Sequence, residues 1–94
     1  MPLATAASCL DILRIVERVS AGFNSAAASD LGVAAQMAAT GVAGGVLNVE
    51  INVPSLKDEA ARGALLARAA AITAETAGIM ERVWPAVQEL ARGG

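Results

Sequence analysis

The sequence predicts an all-α protein, a three-helix up-down arrangement with long central and C-terminal helices that is completed by oligomerisation. Two observations lead to this fold class. Apolar residues recur at spacings of three and four in the first and last segments of the chain, which is the period of an amphipathic helix. Turn-forming residues around Gly22 and around Pro54 divide the chain into three such segments.

The composition bounds the size of the core. The 94 residues form one domain at most, and a chain of this size buries only about 60% of its unfolded surface. Hydrophobic residues make up 55% of the chain but aromatic residues only 2%, so large core-filling side chains are scarce. We therefore expect closely packed helices in a homo-oligomer, a dimer or higher, which supplies the missing burial.

Charge and residue types exclude several classes of partner. The net charge is -2 and there is no basic cluster, whereas nucleic-acid binding requires several Lys or Arg residues on one face. The chain has no histidine and one cysteine, Cys9, which argues against a metal site and a disulfide framework. A lone cysteine fits a reducing compartment, so we expect a cytoplasmic protein without metal or nucleic acid.

The first helix is predicted over Leu3–Ala21. Arg14 and Arg18 lie on its polar surface, near the C-terminal half, where positive charge suits the helix dipole. Gly22 suits the position that follows a helix end, and Asn24 tolerates turn geometry. The apolar arc is formed by Leu3, Ala6, Cys9, Leu10, Ile12, Leu13, Val16 and Val19.

The central element is predicted over Ala26–Val53. Ser25 or Ser29 can cap its start, and Asp30 lies in the first turn, where negative charge is stabilised by about 0.3–1 kcal/mol. Its interior holds three glycines, each about 1 kcal/mol less favourable than alanine in a helix. Such a cluster indicates close approach of another helix or of a flat ligand, and helix packing is favoured. The glycines are Gly41, Gly44 and Gly45.

The stretch Val46–Val53, VLNVEINV, permits two interpretations. It alternates apolar and polar residues, which slightly favours a strand. On a helix, in contrast, one face would carry a line of small and amide residues. This line consists of Gly41, Gly45, Asn48 and Asn52.

Pro54 ends the central element, and Ser55-Leu56-Lys57-Asp58 is similar to a capping box. The last helix is predicted to run to about Ala91, with Pro85 kinking or dividing it. Trp84 lies beside its apolar stripe, as a core or interface residue. The stripe consists of Leu65, Ala69, Ile72, Thr76, Ile79, Val83, Val87 and Leu90.

The apolar run Leu31–Leu47 could be interpreted as a membrane span. The run carries no charge, but it is shorter than the about 20 residues that a span needs. Asp30 and Glu50 bracket it without Lys or Arg anchors, and a GxxxG pattern is weak outside a proven span. We expect no membrane insertion, although a small membrane-associated hairpin stays an alternative that solubility without detergent would remove.

Several pieces of the sequence follow one another in a characteristic order. They are Asn24, Ser29-Asp30 with Val33 and Ala34, the small-residue run to Gly41 and Gly44, LNV-x-IN at Leu47 to Asn52, and Lys57-Asp58-Glu59. Together they resemble the cyclodeaminase/cyclohydrolase family, which includes the deaminase domain of formiminotransferase-cyclodeaminase and bacterial methenyltetrahydrofolate cyclohydrolases. The opening PLATAASCLDIL is similar to the preceding helix of that family.

The resemblance implies an all-helical fold, and therefore a helix over Val46–Val53. Domains of the family are longer, and their N-terminal half carries a Gly-rich motif and a helix that help to line the folate cleft. We therefore interpret residues 1–94 as a single helical domain resembling the C-terminal half of a cyclodeaminase/cyclohydrolase domain, natural or cut. A separate chain that supplies the N-terminal half is a further candidate partner.

The resemblance also implies the chemistry. Family members expel ammonia from 5-formimino-tetrahydrofolate or hydrolyse 5,10-methenyl-tetrahydrofolate, with a tetrahydrofolate derivative as substrate carrier and no metal. Both reactions pass through a tetrahedral carbon and need a proton acceptor. By motif match, Asp30 is the candidate catalytic base. The candidate substrate-binding residues are Ser29, Asn48 and Asn52, whose amides suit a pterin edge.

Geometry constrains where such a site can lie. Asp30 and Asn48 share one face of a straight helix but stand about 27 Å apart. An antiparallel partner helix crossing near Ala39 would bring Asp30 of one copy toward Asn48 of the other, with the glycines as the contact zone. We therefore expect a site shared between subunits.

Two functions follow. The first is a folate-dependent one-carbon enzyme or half-enzyme, of methenyltetrahydrofolate cyclohydrolase or formiminotetrahydrofolate cyclodeaminase type. The alternative is a non-catalytic helical oligomerisation module that kept the family packing and lost the folate cleft. A folate-dependent rise in melting temperature separates the two.

Overall fold

A computed structural model describes residues 2–20 and 28–92. Within these ranges it contains three α-helices, one short 3-10 turn and no strand. The helices are α1 (Pro2–Ser20), α2 (Ala28–Asn52) and α3 (Glu59–Ala91), and the 3-10 turn spans Val53–Ser55. The all-α prediction is confirmed, including a helix through residues 46–52, where alternation had favoured a strand.

The helix α1 packs antiparallel to α2. Cys9 of α1 lies beside Gly41, and Ala6, closer to the start of α1, lies beside Gly45. Because residue numbers fall along one helix as they rise along the other, the two helices run in opposite directions. The described residues form a slender body of 53 × 16 × 15 Å, as expected when long helices pack side by side.

The helix α3 returns along α2 and completes the core. Val87, near its end, contacts the start of α2 at Gly32, whereas Ala69 packs with Val49 and Val53 at the other end. Most of the burial lies in one cluster shared by all three helices. Its buried members are Ala6, Leu10, Leu13, Val16, Ala28, Leu31, Ala35, Ala38, Val42, Ile72, Ile79, Val83 and Val87.

The apolar stripe predicted for the last helix is the buried face of α3. Six of its eight residues are buried, and Leu65 and Leu90 are half-buried. Pro85 lies inside the continuous helix α3. Of the two predicted effects of Pro85, a kink or a division of the helix, the division does not occur. The buried members are Ala69, Ile72, Thr76, Ile79, Val83 and Val87.

Asp58 caps the start of α3. Its carboxylate oxygen Oδ1 accepts hydrogen bonds from the backbone N–H groups of Ala60 at 2.9 Å and Ala61 at 3.3 Å. Ser55, the first residue of the predicted capping box, instead donates from Oγ to the carbonyl of Asn52 at 2.7 Å. The 3-10 turn around Pro54 therefore places the cap three residues later than the first box position.

The start of α2 differs from one of the two predicted caps. Ser29 lies within α2, one residue after its first residue, Ala28, and so it does not cap the helix. Asp30 lies in the first turn as expected. The predictions for Gly22, Asn24 and Ser25 concern residues outside those that the structure describes.

Candidate functional site

The first predicted site residues lie at the start of α2, and we call Ser29 and Asp30 the acidic end. Both side chains are exposed. Beside them runs a shallow apolar groove of about 390 Å³ between α2 and the last turns of α3. Its lining includes Ser29, Gly32, Val33, Met37, Trp84 and Val87. A flat apolar ring can lie in this groove, with polar groups only at its edge.

The amide residues lie at the other end of α2, and we call Asn48 and Asn52 the amide end. Asn48 is exposed, and its Nδ2 donates a hydrogen bond to the carbonyl of Gly44 at 3.2 Å. Asn52 lies at the rim of a small, largely apolar groove of about 180 Å³. Pro2, Leu3, Val49, Val53, Leu56 and Leu65 also line this groove.

A single copy does not bring the acidic end and the amide end together. Both lie on the uninterrupted helix α2, and Asp30 and Asn48 are 18 positions apart, which corresponds to about 27 Å at the rise of an α-helix. No side chain reaches that far. The structure therefore places the predicted residues on the surface, but at two separate ends.

Two of the three glycines are occupied by α1 of the same copy. A Cβ on Gly45 would lie 2.6 Å from the carbonyl oxygen of Pro2 and 2.9 Å from the backbone N of Ala6. A Cβ on Gly41 would lie 2.3 Å from Sγ of Cys9. The absence of a side chain at Gly41 and Gly45 lets α1 pack closely against α2. Of the two expected partners, a helix and a ligand, it is a helix of the same copy that contacts these two glycines.

Gly44 is different, because nothing lies within 4 Å of the position that its Cβ would take. It faces solvent. Of the contact zone expected between subunits, Gly44 alone is open to a second copy.

Sequence reasoning did not find the charged groove of about 440 Å³ between α1 and α3. Arg14 donates two hydrogen bonds to the carboxylate of Glu75, from Nε to Oε2 at 2.5 Å and from Nη2 to Oε1 at 2.6 Å. Arg82 pairs with Glu17 in the same way. The available signal was the position of Arg14 and Glu17 one turn apart on α1, but their partners lie about sixty residues away in the sequence.

These ion pairs lower the pKa of both carboxyl groups. The hydrogen bonds from Arg14 hold the pKa of Glu75 below its usual value, and those from Arg82 do the same for Glu17. Arg14 and Arg82 are each paired with a carboxylate, so neither of these two guanidinium groups is free for an anionic ligand. We interpret the groove as a surface clamp between α1 and α3.

The clamp predicts a pH-dependent stability. The pKa of Glu75 is lower in the folded chain than in the unfolded chain, where the usual value for Glu is about 4.3. The ionised carboxyl therefore stabilises the fold at pH values above the unfolded pKa, and this stabilisation is lost as the pH falls through the folded pKa. Glu75→Gln should therefore lower the urea midpoint at about pH 7 but leave it equal to wild type at about pH 2. The shift should be small, because the pair is exposed.

Urea unfolding of wild type, Glu75→Gln and the control Glu50→Gln, an exposed carboxylate of α2, measures this effect. The control should match wild type at both pH values. A difference for Glu75→Gln that persists in acid would show that packing of the side chain, and not its charge, stabilises the contact.

Two further features of the described residues bear on the site. No group of three or more His, Cys, Asp or Glu side chains that could hold a metal ion is found among them. One helix, Ala28–Ser55, is long and apolar enough to cross a membrane by length and composition, but a third of its most apolar window is buried inside the protein.

The fold and these surface positions define a class: a small helical domain whose central helix carries an acidic end and an amide end. Comparison with known proteins identifies the family. The family model described as formiminotransferase-cyclodeaminase matches residues 1–71 of the 94, which include α1, α2 and the first part of α3. The chain belongs to the formiminotransferase-cyclodeaminase family, which places it in a folate-related, one-carbon context. No curated protein and no solved structure matches the chain.

Proposed function

We propose that the chain is a folate-dependent one-carbon enzyme, or half of one, of the methenyltetrahydrofolate cyclohydrolase or formiminotetrahydrofolate cyclodeaminase type. The family match over residues 1–71 carries this proposal. The matched segment contains both the acidic end and the amide end of α2. A tetrahydrofolate derivative is then the substrate carrier, and the compartment is the cytoplasm.

The residues of the two ends suit that chemistry. In the hydrolysis, water adds to the methenyl carbon and a base takes one of its two protons. The bond from the carbon to one ring nitrogen then breaks as the remaining hydroxyl proton passes to that nitrogen, which leaves a formyl group on the other nitrogen. The chain has no histidine, so a carboxylate is the expected base, and the resemblance to the family assigns this role to the exposed Asp30. Asn48 and Asn52 offer donors and acceptors for a pterin edge, and Ser29 adds a hydroxyl beside Asp30.

A complete site requires a second chain, because Asp30 and Asn48 lie about 27 Å apart on α2. A second copy whose α2 packs antiparallel on α2 of the first brings the acidic end of one copy toward the amide end of the other. Such an arrangement gives a homo-oligomer with two equivalent sites. A separate chain supplying the N-terminal half of the family domain is the other candidate partner.

Turnover of 5,10-methenyl-tetrahydrofolate tests the proposal. We expect wild type to speed the loss of its near-ultraviolet absorbance, and Asp30→Asn to lower kcat by about 100-fold or more, since general-base catalysis contributes about that much. Glu50→Gln is the matched control, because it removes another exposed carboxylate of α2 and should retain activity. Equal rates for wild type and Asp30→Asn, with or without an added N-terminal-half chain, would remove the proposal.

A second candidate function is a non-catalytic oligomerisation module that kept the family packing. The distance between the acidic end and the amide end favours it, since one copy alone gathers no catalytic centre. This module would oligomerise without binding folates. A rise in melting temperature with added folate, lost in Asn48→Ala, would count against it and support the enzyme.

A further inference from the structure

The helix α2 has a second apolar face, which points away from the core. Six residues spaced four and three apart form one line along it, and we call this line the outward stripe. Four of them are large and strongly exposed: Val33 by 58%, Met37 by 69%, Leu47 by 56% and Ile51 by 64%. The stripe consists of Val33, Met37, Thr40, Gly44, Leu47 and Ile51.

The outward stripe is symmetric in side-chain size about Val42. Val33 and Ile51 lie nine residues before and after this position, Met37 and Leu47 five residues, and the small Thr40 and Gly44 two residues. A two-fold axis at Val42 places each residue opposite its mate in an antiparallel copy. Such self-complementarity is what an interface between identical subunits requires.

The order of sizes also suits two helices that cross. Small residues at the centre let the backbones approach, and larger side chains fill the space where the helices diverge. Gly44 has nothing within 4 Å of its Cβ position, so the centre of the stripe is open. In this register Asp30 lies opposite Pro54 and Glu50 opposite Ala34, so no two carboxylates face each other.

We propose that a second copy of this chain packs antiparallel on the outward stripe, and that the two helices cross between Thr40 and Gly44, level with the buried Val42. The pairs are Val33 with Ile51, Met37 with Leu47, and Thr40 with Gly44. This proposal names the partner chain of the proposed enzyme and the alignment of the two α2 helices. Its consequence for the folate site rests on the proposed function. The packing itself rests on the stripe alone.

The flanks of the stripe enlarge the surface. A typical stable interface buries about 800 Å² per partner, more than one helix face supplies. Ile12 of α1 is 49% exposed and lies one turn from Cys9, which contacts Gly41. On the other side, Trp84 of α3 is 37% exposed and lines the groove that includes Val33.

The crossing point level with Val42 has a consequence for the site. The partner position opposite Asp30 is residue 54, which is six residues beyond Asn48 and therefore about 9 Å along the helix axis. A gap of that length between the acidic end of one copy and the amide end of the other is one that a flat two-ring ligand can bridge. A crossing near Ala39 would leave no such gap.

A charge swap tests the register. Wild type should sediment as a dimer, and Met37→Glu or Leu47→Lys alone should weaken dimerisation by about 100-fold or more, because each places a charge against an apolar side chain of the other copy. The double variant should regain the dimer, because each Glu then faces a Lys of the other copy. Positions 37 and 47 lie about 15 Å apart within one helix, so the pair cannot form inside one copy.

Ile15→Glu is the matched control. Ile15 is an exposed isoleucine of α1, at 49% exposure, in the groove between α1 and α3 that no residue of α2 lines, and this variant should stay dimeric. All the substituted side chains are exposed, so circular dichroism should show unchanged helix content. A monomeric wild type, or a double variant no more dimeric than the single ones, overturns the proposal.

Disulfide trapping gives a second, independent readout. In a Cys9→Ser background, a mixture of Met37→Cys and Leu47→Cys chains should cross-link to each other on oxidation, and neither chain should cross-link to itself. Self-cross-linking through position 37 would indicate parallel packing and overturn the register. The proposal would also be overturned if the cysteines at positions 37 and 47 stayed open to thiol reagents in this chain alone and became shielded only after an N-terminal-half chain is added.

Failure of this inference is distinguishable from failure of the proposed function. A correct dimer without turnover of methenyl-tetrahydrofolate removes the enzyme and keeps the interface. Turnover by a monomeric Met37→Glu variant keeps the enzyme and the interface but removes the site shared between copies, and turnover by a monomeric wild type keeps the enzyme and removes the interface.

Discussion

Gly45→Val is expected to destabilise the fold by about 2–3 kcal/mol, the upper range for overpacking a well-filled contact. The Cβ alone would stand 2.6 Å from the carbonyl oxygen of Pro2 and 2.9 Å from both the N and Cβ of Ala6. Backbone atoms cannot rotate away as a side chain can. The first turns of α1 must therefore move off α2, and Ala6, which is fully buried, loses its contacts.

Gly63→Val is the matched control for this prediction. Gly63 also lies inside a helix, but nothing stands within 4 Å of its Cβ position, so the same change meets open space there. It should be neutral or stabilise slightly, since valine is the better helix former. Urea unfolding followed by circular dichroism measures both variants. Equal stabilities for the two would show that α1 does not press on Gly45.

The alternation of Val46–Val53 shows why a strand competed with a helix in the sequence. Val49 and Val53 face the core, whereas Leu47 and Ile51 belong to the outward stripe. A helix that is apolar on two opposite faces carries apolar residues at every second position over a short stretch. The period-two pattern is thus the sum of two helical faces, and only the resemblance to an all-helical family decided between them.

The glycines show which part of the packing the sequence determines. Three glycines within five residues predicted a close approach, because each weakens a helix, but not what approaches. Gly41 and Gly45 are four apart and share the face toward α1, whereas Gly44 lies on the outward stripe. The partner of each face depends on how the helices assemble, which spacing along one helix does not encode.

The candidate site could be predicted in part, because positions along one helix follow from the sequence. The separation of Asp30 and Asn48 along α2 follows from the constant rise per residue of an α-helix. The ion pair of Arg14 with Glu75 joins residues 61 positions apart, and the sequence holds no local signal for such pairs. Contacts within one helix were therefore accessible from the sequence, and contacts between helices were not.

Cys9 and Gly41 are expected to couple by about 2 kcal/mol in a double-mutant cycle, within the range for residues in direct contact. Gly41→Ala puts a Cβ 2.3 Å from Sγ of Cys9 and 3.3 Å from its Cβ, so the sulfur must rotate away and the Cβ of Cys9 must also shift. This should cost about 1–2 kcal/mol. In a Cys9→Ala background the sulfur is gone, and alanine should then contribute its helix preference of up to about 1 kcal/mol.

The sign reversal is the decisive result, because it separates two reasons for a glycine. If Gly41 existed for backbone flexibility or for a ligand, Gly41→Ala would have the same effect on stability whether or not Cys9 is present. If Gly41 exists to seat the thiol of Cys9, the substitution destabilises wild type and stabilises Cys9→Ala. Urea unfolding of the four chains of the cycle measures this directly. Gly45 allows no such rescue, because its neighbours are the carbonyl of Pro2 and the backbone of Ala6.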